Sequence, residues 1–348
     1  MDKQRQRKSS LKPGSATLRF ILAKYKPINA DKKDIARIRR RYSGLNPAIY
    51  AVYDRTWDSL MCHLSIQEKD KAGYTSISNL GFLCLLDLER TLFLQQVISR
   101  TLSMASDPGQ LNVIDLGAGT GILGLTALEL GAGSVTLVEN DEECLAFLDE
   151  LLIDLGFKPA LKSKVYSKFT KGPQTIIIYS GDAKTFKPVG AKPGKYDLVL
   201  CELHETHLVS EDEVAALRNI RRYARPDAMF IPCADELMLS VADANGNDLC
   251  EPVKIGSVDF GNIKKEGISF KARLVIRKSG QAKYLKLWDR LYYPDNTVCE
   301  QDFQMFTQFK YMLLKGWEPM LKKGQALVLK VEFRFEDRSY NGYSLELL

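Results

Sequence analysis

The run Val113-Ile114-Asp115-Leu116-Gly117-Ala118-Gly119-Thr120-Gly121 constrains this chain more than any other stretch. Val113, Ile114 and Leu116 end an apolar run of the kind that forms a strand buried on both faces. The three glycines then let the backbone turn tightly and approach a ligand with no Cβ in the way. Ile122 to Leu130 resumes as a helix whose amino end faces the turn. A second strand, from Ser134 to Val138, ends in Glu139, roughly 20 residues past the turn. That is the separation at which a doubly wound α/β fold sets a carboxylate against the hydroxyls of a ribose. Strand, turn, helix, strand and carboxylate in this order predict a nucleotide-type cofactor site.

The glycine spacing narrows the cofactor. Counted from Gly117, a dinucleotide fingerprint G-x-G-x-x-G fails, because Ile122 stands where its third glycine belongs. The form D-x-G-x-G-x-G, with Asp115 ahead of the turn, resembles motif I of the class I S-adenosylmethionine (SAM) methyltransferases. The resemblance implies SAM as cofactor, with Asp115, Gly117, Gly119, Gly121 and Glu139 among its binding residues.

At 348 residues the chain has room for about two domains, and a 45% hydrophobic content can fill an ordinary core. No run of about 18 apolar residues occurs; the most hydrophobic stretch, Leu80 to Ile98, is interrupted by Asp87, Glu89 and Arg90, so no membrane span is expected. The N-terminus lacks the apolar segment of a signal peptide. Seven cysteines, an odd number with no C-x-x-C pair, fit a reducing compartment, and the expected location is cytoplasmic. His204 and His207 are spaced like metal ligands, but no cysteine or further histidine nearby completes a set, so they read as loop residues and no metal is expected. The net charge of +6 does not by itself imply nucleic acid. It includes a basic tail (Lys3, Arg5, Arg7, Lys8, Lys12) and a second cluster at Arg37, Arg39, Arg40 and Arg41.

Three regions follow from the patterning. Residues 1–75 read as a basic, partly disordered or helical extension without a catalytic signature. Residues 76–232 hold a helix from Leu83 to Leu102 and then an α/β core. Its further elements are a helix from Asp141 to Leu155, a strand from Thr175 to Tyr179 leading to Ser180-Gly181-Asp182-Ala183, a strand from Tyr196 to Leu200, a helix from Glu213 to Tyr223, and a turn at Arg225-Pro226-Asp227 before a strand from Ala228 to Ile231. This alternation predicts a parallel sheet. Residues 233–348 change to a period of two: Leu327, Leu329, Val331, Phe333 and Phe335 share one face, with Lys330, Glu332, Arg334 and Glu336 on the other. With candidate strands from Leu237 to Val241, Ile268 to Arg277, Tyr284 to Leu291 and Tyr343 to Leu347, this last third is expected to be a β sandwich or barrel packed on the core.

Glu202 and Glu211 bracket the segment after the strand carrying Asp197, at the carboxyl edge where an open α/β sheet puts its chemistry. Upstream, Asp87-Leu88-Glu89-Arg90-Thr91 lies on a helix. Taken with the glycine turn, Glu139 and the segment from Arg225 to Pro232, this order over residues 80–235 resembles the protein arginine methyltransferases. The resemblance implies a Rossmann-like SAM-binding core followed by a β barrel. Arg90 would serve the SAM carboxylate, Glu139 the ribose, and Asp182 and Ala183 the remaining cofactor wall. Glu202 and Glu211 would hold the guanidinium as the catalytic pair. Four features depart from that family: His204-Glu205 stand where it carries Met-Gly, Thr307-Gln308-Phe309 map onto its threonine-histidine-tryptophan loop, its aromatic Y-F-x-x-Y pattern before the first helix is not matched, with only Tyr74 nearby, and no dimerisation arm is evident. On this mapping His204, His207, Thr307 and Gln308 fall on the substrate side.

The paired acids suit that chemistry on physical grounds. A guanidinium is planar and stays protonated, with its lone pairs delocalised, so it is a poor nucleophile until carboxylates fix it and concentrate charge on the far nitrogens. The expected function is N-methylation of a guanidino group, in an arginine-containing protein or a small molecule. Two alternatives remain at this level: an RNA methyltransferase, suggested by the basic clusters and by Cys201 and Cys233 as nucleophiles, and a noncatalytic binding protein, suggested by the altered loops.

Overall fold

The protein is described by a computed structural model covering residues 32–67, 80–188, 190, 193–204, 206–209, 212–300, 303, 310–314, 318–336 and 342–347. Among the described residues four α-helices precede the sheet: α1 Lys32–Arg41, α2 Pro47–Gln67, α3 Leu80–Leu86 and α4 Leu88–Ser103. The single helix expected over Leu83 to Leu102 is broken at Asp87. That side chain, fully buried, accepts the Arg90 backbone N–H at 3.2 Å and so caps α4. Apolar residues continue on both sides of the break because both helices bury a face, which is why periodicity alone runs through it.

The core alternates strand and helix as β1 Asn112–Leu116, α5 Ile122–Glu129, β2 Ser134–Glu139 and α6 Glu142–Asp154. It continues as β3 Lys158–Lys162, β4 Tyr166–Lys171, β5 Gln174–Ser180, β6 Tyr196–Cys201, α7 Glu213–Ile220 and β7 Ala224–Ile231. The seven strands form one sheet in the order β3-β4-β5-β2-β1-β6-β7. The five strands from β5 to β7 are parallel, as expected, and Val113, Ile114 and Leu116 of β1 and Leu198, Val199 and Leu200 of β6 are buried. The sheet is nevertheless mixed, since β3 and β4 add an antiparallel hairpin at one edge. Arg225-Pro226-Asp227, expected as a turn, lie inside β7. This strand is the opposite edge, where a proline without an N–H removes no ladder bond, and its register against β6 shifts between Tyr196 and Leu198. Strand order reverses between β1 and β6, the crevice where open α/β sheets take their ligands.

From Ala234 onward the strands are antiparallel: β8 Ala234–Ala242, β9 Val253–Asp259, β10 Gly267–Val275, β11 Gly280–Gln281 and β12 Tyr284–Tyr292. They are followed by β13 Val298–Cys299, β14 Lys310–Leu313, β15 Met320–Leu321, β16 Ala326–Arg334 and β17 Tyr343–Leu347. One sheet runs β13-β12-β8-β9 with β14 also on β12, a second β10-β16-β17, and a two-stranded pair joins β11 to β15. The period-two reading holds for β16 and the residue after it: Leu327, Leu329, Val331, Phe333 and Phe335 are buried while Lys330, Glu332 and Arg334 are exposed. Among the described residues no helix is long and apolar enough to cross a membrane.

Candidate functional site

The glycine turn takes the conformation its sequence requires. Gly117, Gly119 and Gly121 have φ of 69°, 52° and 73°, in the left-handed region that side chains avoid. A Cβ on Gly117 would stand 2.4 Å from the Leu203 side chain, and one on Gly119 3.2 Å from the Gly81 backbone. The turn is fastened to β2 by the N–H groups of Gly117 and Ala118, which donate to the Val138 carbonyl at 2.9 and 3.0 Å. Asp115 braces it from beneath: its Oδ2 accepts the Gly124 N–H at 2.9 Å in the first turn of α5. Burial pushes the Asp115 carboxyl up to about 7, against the opposing Gly124 hydrogen bond and with a further push from the Glu139 charge.

Glu139 ends β2 beside this turn. Its Oε2 accepts the Gly119 N–H at 2.7 Å, and Oε1 accepts the Asn140 and Asp141 N–H groups at 2.7 and 2.8 Å. A carboxylate oxygen accepts about two hydrogen bonds, so Oε2 keeps one free acceptor position. The Gly181 N–H donates to the Glu139 carbonyl at 2.8 Å, which draws the end of β5 against the end of β2. Asp182 and Ala183 therefore sit beside Glu139. Asp182 Oδ1 accepts the Lys184 N–H at 2.8 Å, and the Ala183 carbonyl accepts from Asn219 Nδ2 at 2.9 Å.

Across the crevice, Arg90 of α4 forms an ion pair with Glu202, the first residue past β6. Of the acids nearby in sequence, Asp87 caps the helix backbone and Glu89 pairs with Arg41. Glu202 is followed by Leu203, whose side chain fills the space over Gly117. Arg90, Glu202, the glycine turn, Glu139 and Asp182 thus lie along the carboxyl edge of β1, β2, β5 and β6. Glu211, Thr307 and Gln308 lie outside the described residues.

The two histidines depart from the substrate role expected of them. His207 is fully buried, with Nε2 2.9 Å from the Met238 carbonyl, Nδ1 2.6 Å from the Tyr343 hydroxyl, and its ring stacked on Phe333. It packs into the antiparallel sheets and offers nothing to a ligand. Its backbone and that of Leu208 are left-handed, with φ of 63° and 58°. His204 lies between two acids, Nδ1 3.0 Å from Glu213 Oε2 and Nε2 3.1 Å from Asp289 Oδ2. Burial opposes its imidazolium, but the Glu213 and Asp289 carboxylates outweigh that and hold its pKa well above the ordinary histidine value. Glu213, Asp235 and Asp289 are site residues the sequence did not disclose, because a lone acid on an amphipathic strand or helix reads as solvent-facing. Cys201 is buried and its thiol is pushed well up by burial; Cys233 is raised for the same reason. Both features disfavour a cysteine nucleophile.

Comparisons with known proteins bear on the fold and on what the chain is similar to. A family profile described as ribosomal protein L11 methyltransferase (PrmA) matches residues 83–149. Protein arginine N-methyltransferase 7 of Drosophila willistoni is 40% identical over 175 residues, covering 49% of this chain and 23% of its own length. Arginine N(omega)-methyltransferase of Streptomyces achromogenes subsp. streptozoticus is 27% identical over 158 residues, covering 45% of this chain and 38% of its own. The chain therefore spans well under half the length of these relatives. Among solved structures, the Trypanosoma brucei PRMT1 enzyme-prozyme heterotetrameric complex with AdoHcy superposes with a TM-score of 0.57 at 15% identity, over 73% of this chain and 88% of that one. The fold is that of the class I SAM-dependent methyltransferases. Within that class, the chain resembles the protein arginine N-methyltransferases.

Proposed function

We propose that this protein is a SAM-dependent N-methyltransferase acting on a guanidino nitrogen of arginine, in a protein or a free small molecule. The observation that carries the reading is the Arg90–Glu202 pair at the sheet's switch point: the acid expected to bind a substrate guanidinium already holds one. The names of the two relatives similar in sequence point the same way.

The residues at the edge fit the cofactor. Glu139 offers its free Oε2 position to a ribose hydroxyl, and the glycine turn leaves the backbone uncovered beside it. Arg90 is the cation for the cofactor's carboxylate. When bound, SAM supplies an activated methyl group on a positively charged sulfur. Glu202 then fixes the acceptor guanidinium and polarises it toward the crevice, with Glu211 as its partner acid. Rate enhancement comes mainly from positioning and from fixed negative charge around a cationic reaction. The free thiols of Cys201, Cys233 and Cys250 fit a reducing, cytoplasmic setting.

The test is transfer of label from SAM to free arginine, arginine-containing peptides and RNA. Label on arginine that vanishes in Glu202→Gln is the expected result. Label on RNA alone, or full activity in Glu202→Gln, overturns the reading.

A further inference from the structure

His204, Asp235 and Asp289 come from three separate elements, yet each places one ligand-type atom within 4.8 Å of the others. The strand register explains how. On β8 and β12 Leu237 stands opposite Asp289 and Asp235 opposite Leu291, so the two carboxylates are diagonal neighbours on one sheet face. His204 reaches them from the loop after β6. Asp235 and Asp289 are almost wholly buried, at 0% and 1% exposure, and Glu213 beside His204 is at 0%. Among the described residues neither oxygen of Asp235 has a hydrogen-bond partner, nor do Asp289 Oδ1 and Glu213 Oε1.

Buried oxygens without partners are costly, and three acids facing one imidazole leave an excess of negative charge in a region closed to water. A cation of charge two relieves both. We propose that His204, Asp235 and Asp289 bind a divalent transition-metal cation, zinc or manganese, that clamps the loop after β6 onto β8 and β12. One imidazole nitrogen with carboxylate oxygens is the donor set these ions take, whereas calcium asks for oxygen alone and copper(I) for sulfur. His204 Nε2 and Asp289 Oδ2 stand 3.1 Å apart, and the ion takes the place of the Nε2 proton between them, which is released to solvent on binding. Two ligands of a tetrahedral ion with bonds of about 2.0–2.1 Å lie roughly 3.3 Å apart. The far side of the ring is already braced, Nδ1 against Glu213 Oε2, in the manner by which a carboxylate orients a ligating histidine. Asp289 Oδ2 is held in turn by the His207 backbone N–H at 2.8 Å. Those supports set the ligand directions whether or not the chain transfers methyl groups, so the proposal stands apart from the transferase reading.

The experiment uses the full chain, stripped with a chelator and then given Zn2+ or Mn2+ alone. After gel filtration, metal analysis should find about one equivalent per chain. With free ion near 100 times its Kd, the melting temperature should rise by roughly 4 °C. Asp235→Asn, nearly isosteric, should lower the bound metal at least tenfold while keeping the wild-type circular dichroism. An unmoved melting temperature with both ions overturns the proposal, as does a full equivalent of metal in Asp235→Asn. If that variant does not fold, the wild-type melting shift decides alone. A chain that takes no metal and becomes more stable in Asp235→Asn would mean that the acids share a proton instead, and this also overturns it.

Discussion

The Arg90 guanidinium pairs with the Glu202 carboxylate across the crevice between β1 and β6, joining α4 to the loop that follows the sheet's central strands. Both side chains are largely withdrawn from water, at 10% and 20% exposure, so the pair is stronger than one on the surface. On the proposed roles each partner also serves another molecule. Arg90 answers the cofactor's carboxylate and Glu202 the acceptor's guanidinium.

Arg90 should therefore leave Glu202 when the cofactor is seated, which frees the acid for substrate. Calorimetric affinity for an arginine substrate should rise about tenfold when S-adenosylhomocysteine is present. Equal affinity with and without it would separate the two roles.

Glu202→Gln should lower methyl transfer by at least about 100-fold and leave S-adenosylhomocysteine affinity within a few-fold, since a fixed charge opposite the reacting nitrogen is lost while the cofactor wall stays intact. Arg90→Ala should do the reverse first, weakening cofactor binding by about 10- to 100-fold. Steady-state kinetics beside calorimetry distinguishes the two patterns.

Glu139→Gln places an NH2 group against one of the backbone donors at Gly119, Asn140 and Asp141, all of which now point at carboxylate oxygens. The variant should lose cofactor affinity by about tenfold or more and melt at a lower temperature even without ligand. A normal ligand-free melt would mean that the donors find other partners.

Asp115 provides a pH test. Its carboxyl is raised to about 7 in the fold from an ordinary 3.8, so its neutral form is favoured by folding. The stability it contributes is complete below the ordinary value and is lost as pH rises through about 7. Asp115→Asn keeps an acceptor for Gly124 and does not ionise. Between pH 5 and pH 8 the variant should gain on the wild type by a few kcal/mol in urea unfolding. Parallel stability profiles would refute the assignment.

Gly117→Ala should cost about 1–2 kcal/mol for the left-handed backbone alone, and the new methyl would push on Leu203. Because Leu203 follows Glu202, turnover should fall more than the melting temperature predicts. A stability loss without that extra kinetic loss would uncouple the turn from the acid loop.

The legible part of this molecule was the part whose residues are neighbours in sequence or follow one period. The glycine turn, β1, β2 and Glu139 read directly, because apolar strands, left-handed glycines and a strand-ending acid each leave a local mark. So did the buried face of β16. The hairpin of β3 and β4 left none: Lys158 to Lys162 is exposed at every position, so no alternation could form. Asp87 hid its helix break inside a continuous apolar stripe. The cluster of His204, Asp235 and Asp289 exists only through the register of β8 against β12 and a loop from the other sheet, information that no spacing along the chain contains.

The same hairpin settles how the sheet ends. Its outer strand, β3, carries Lys158 and Lys162, a proline at 159, and a register shift between Pro159 and Leu161. Charge, a missing donor and a kinked ladder each discourage a foreign strand from adding there. That border of the unclosed sheet is thereby guarded against amyloid-like stacking of one copy on the next, on the side away from β7.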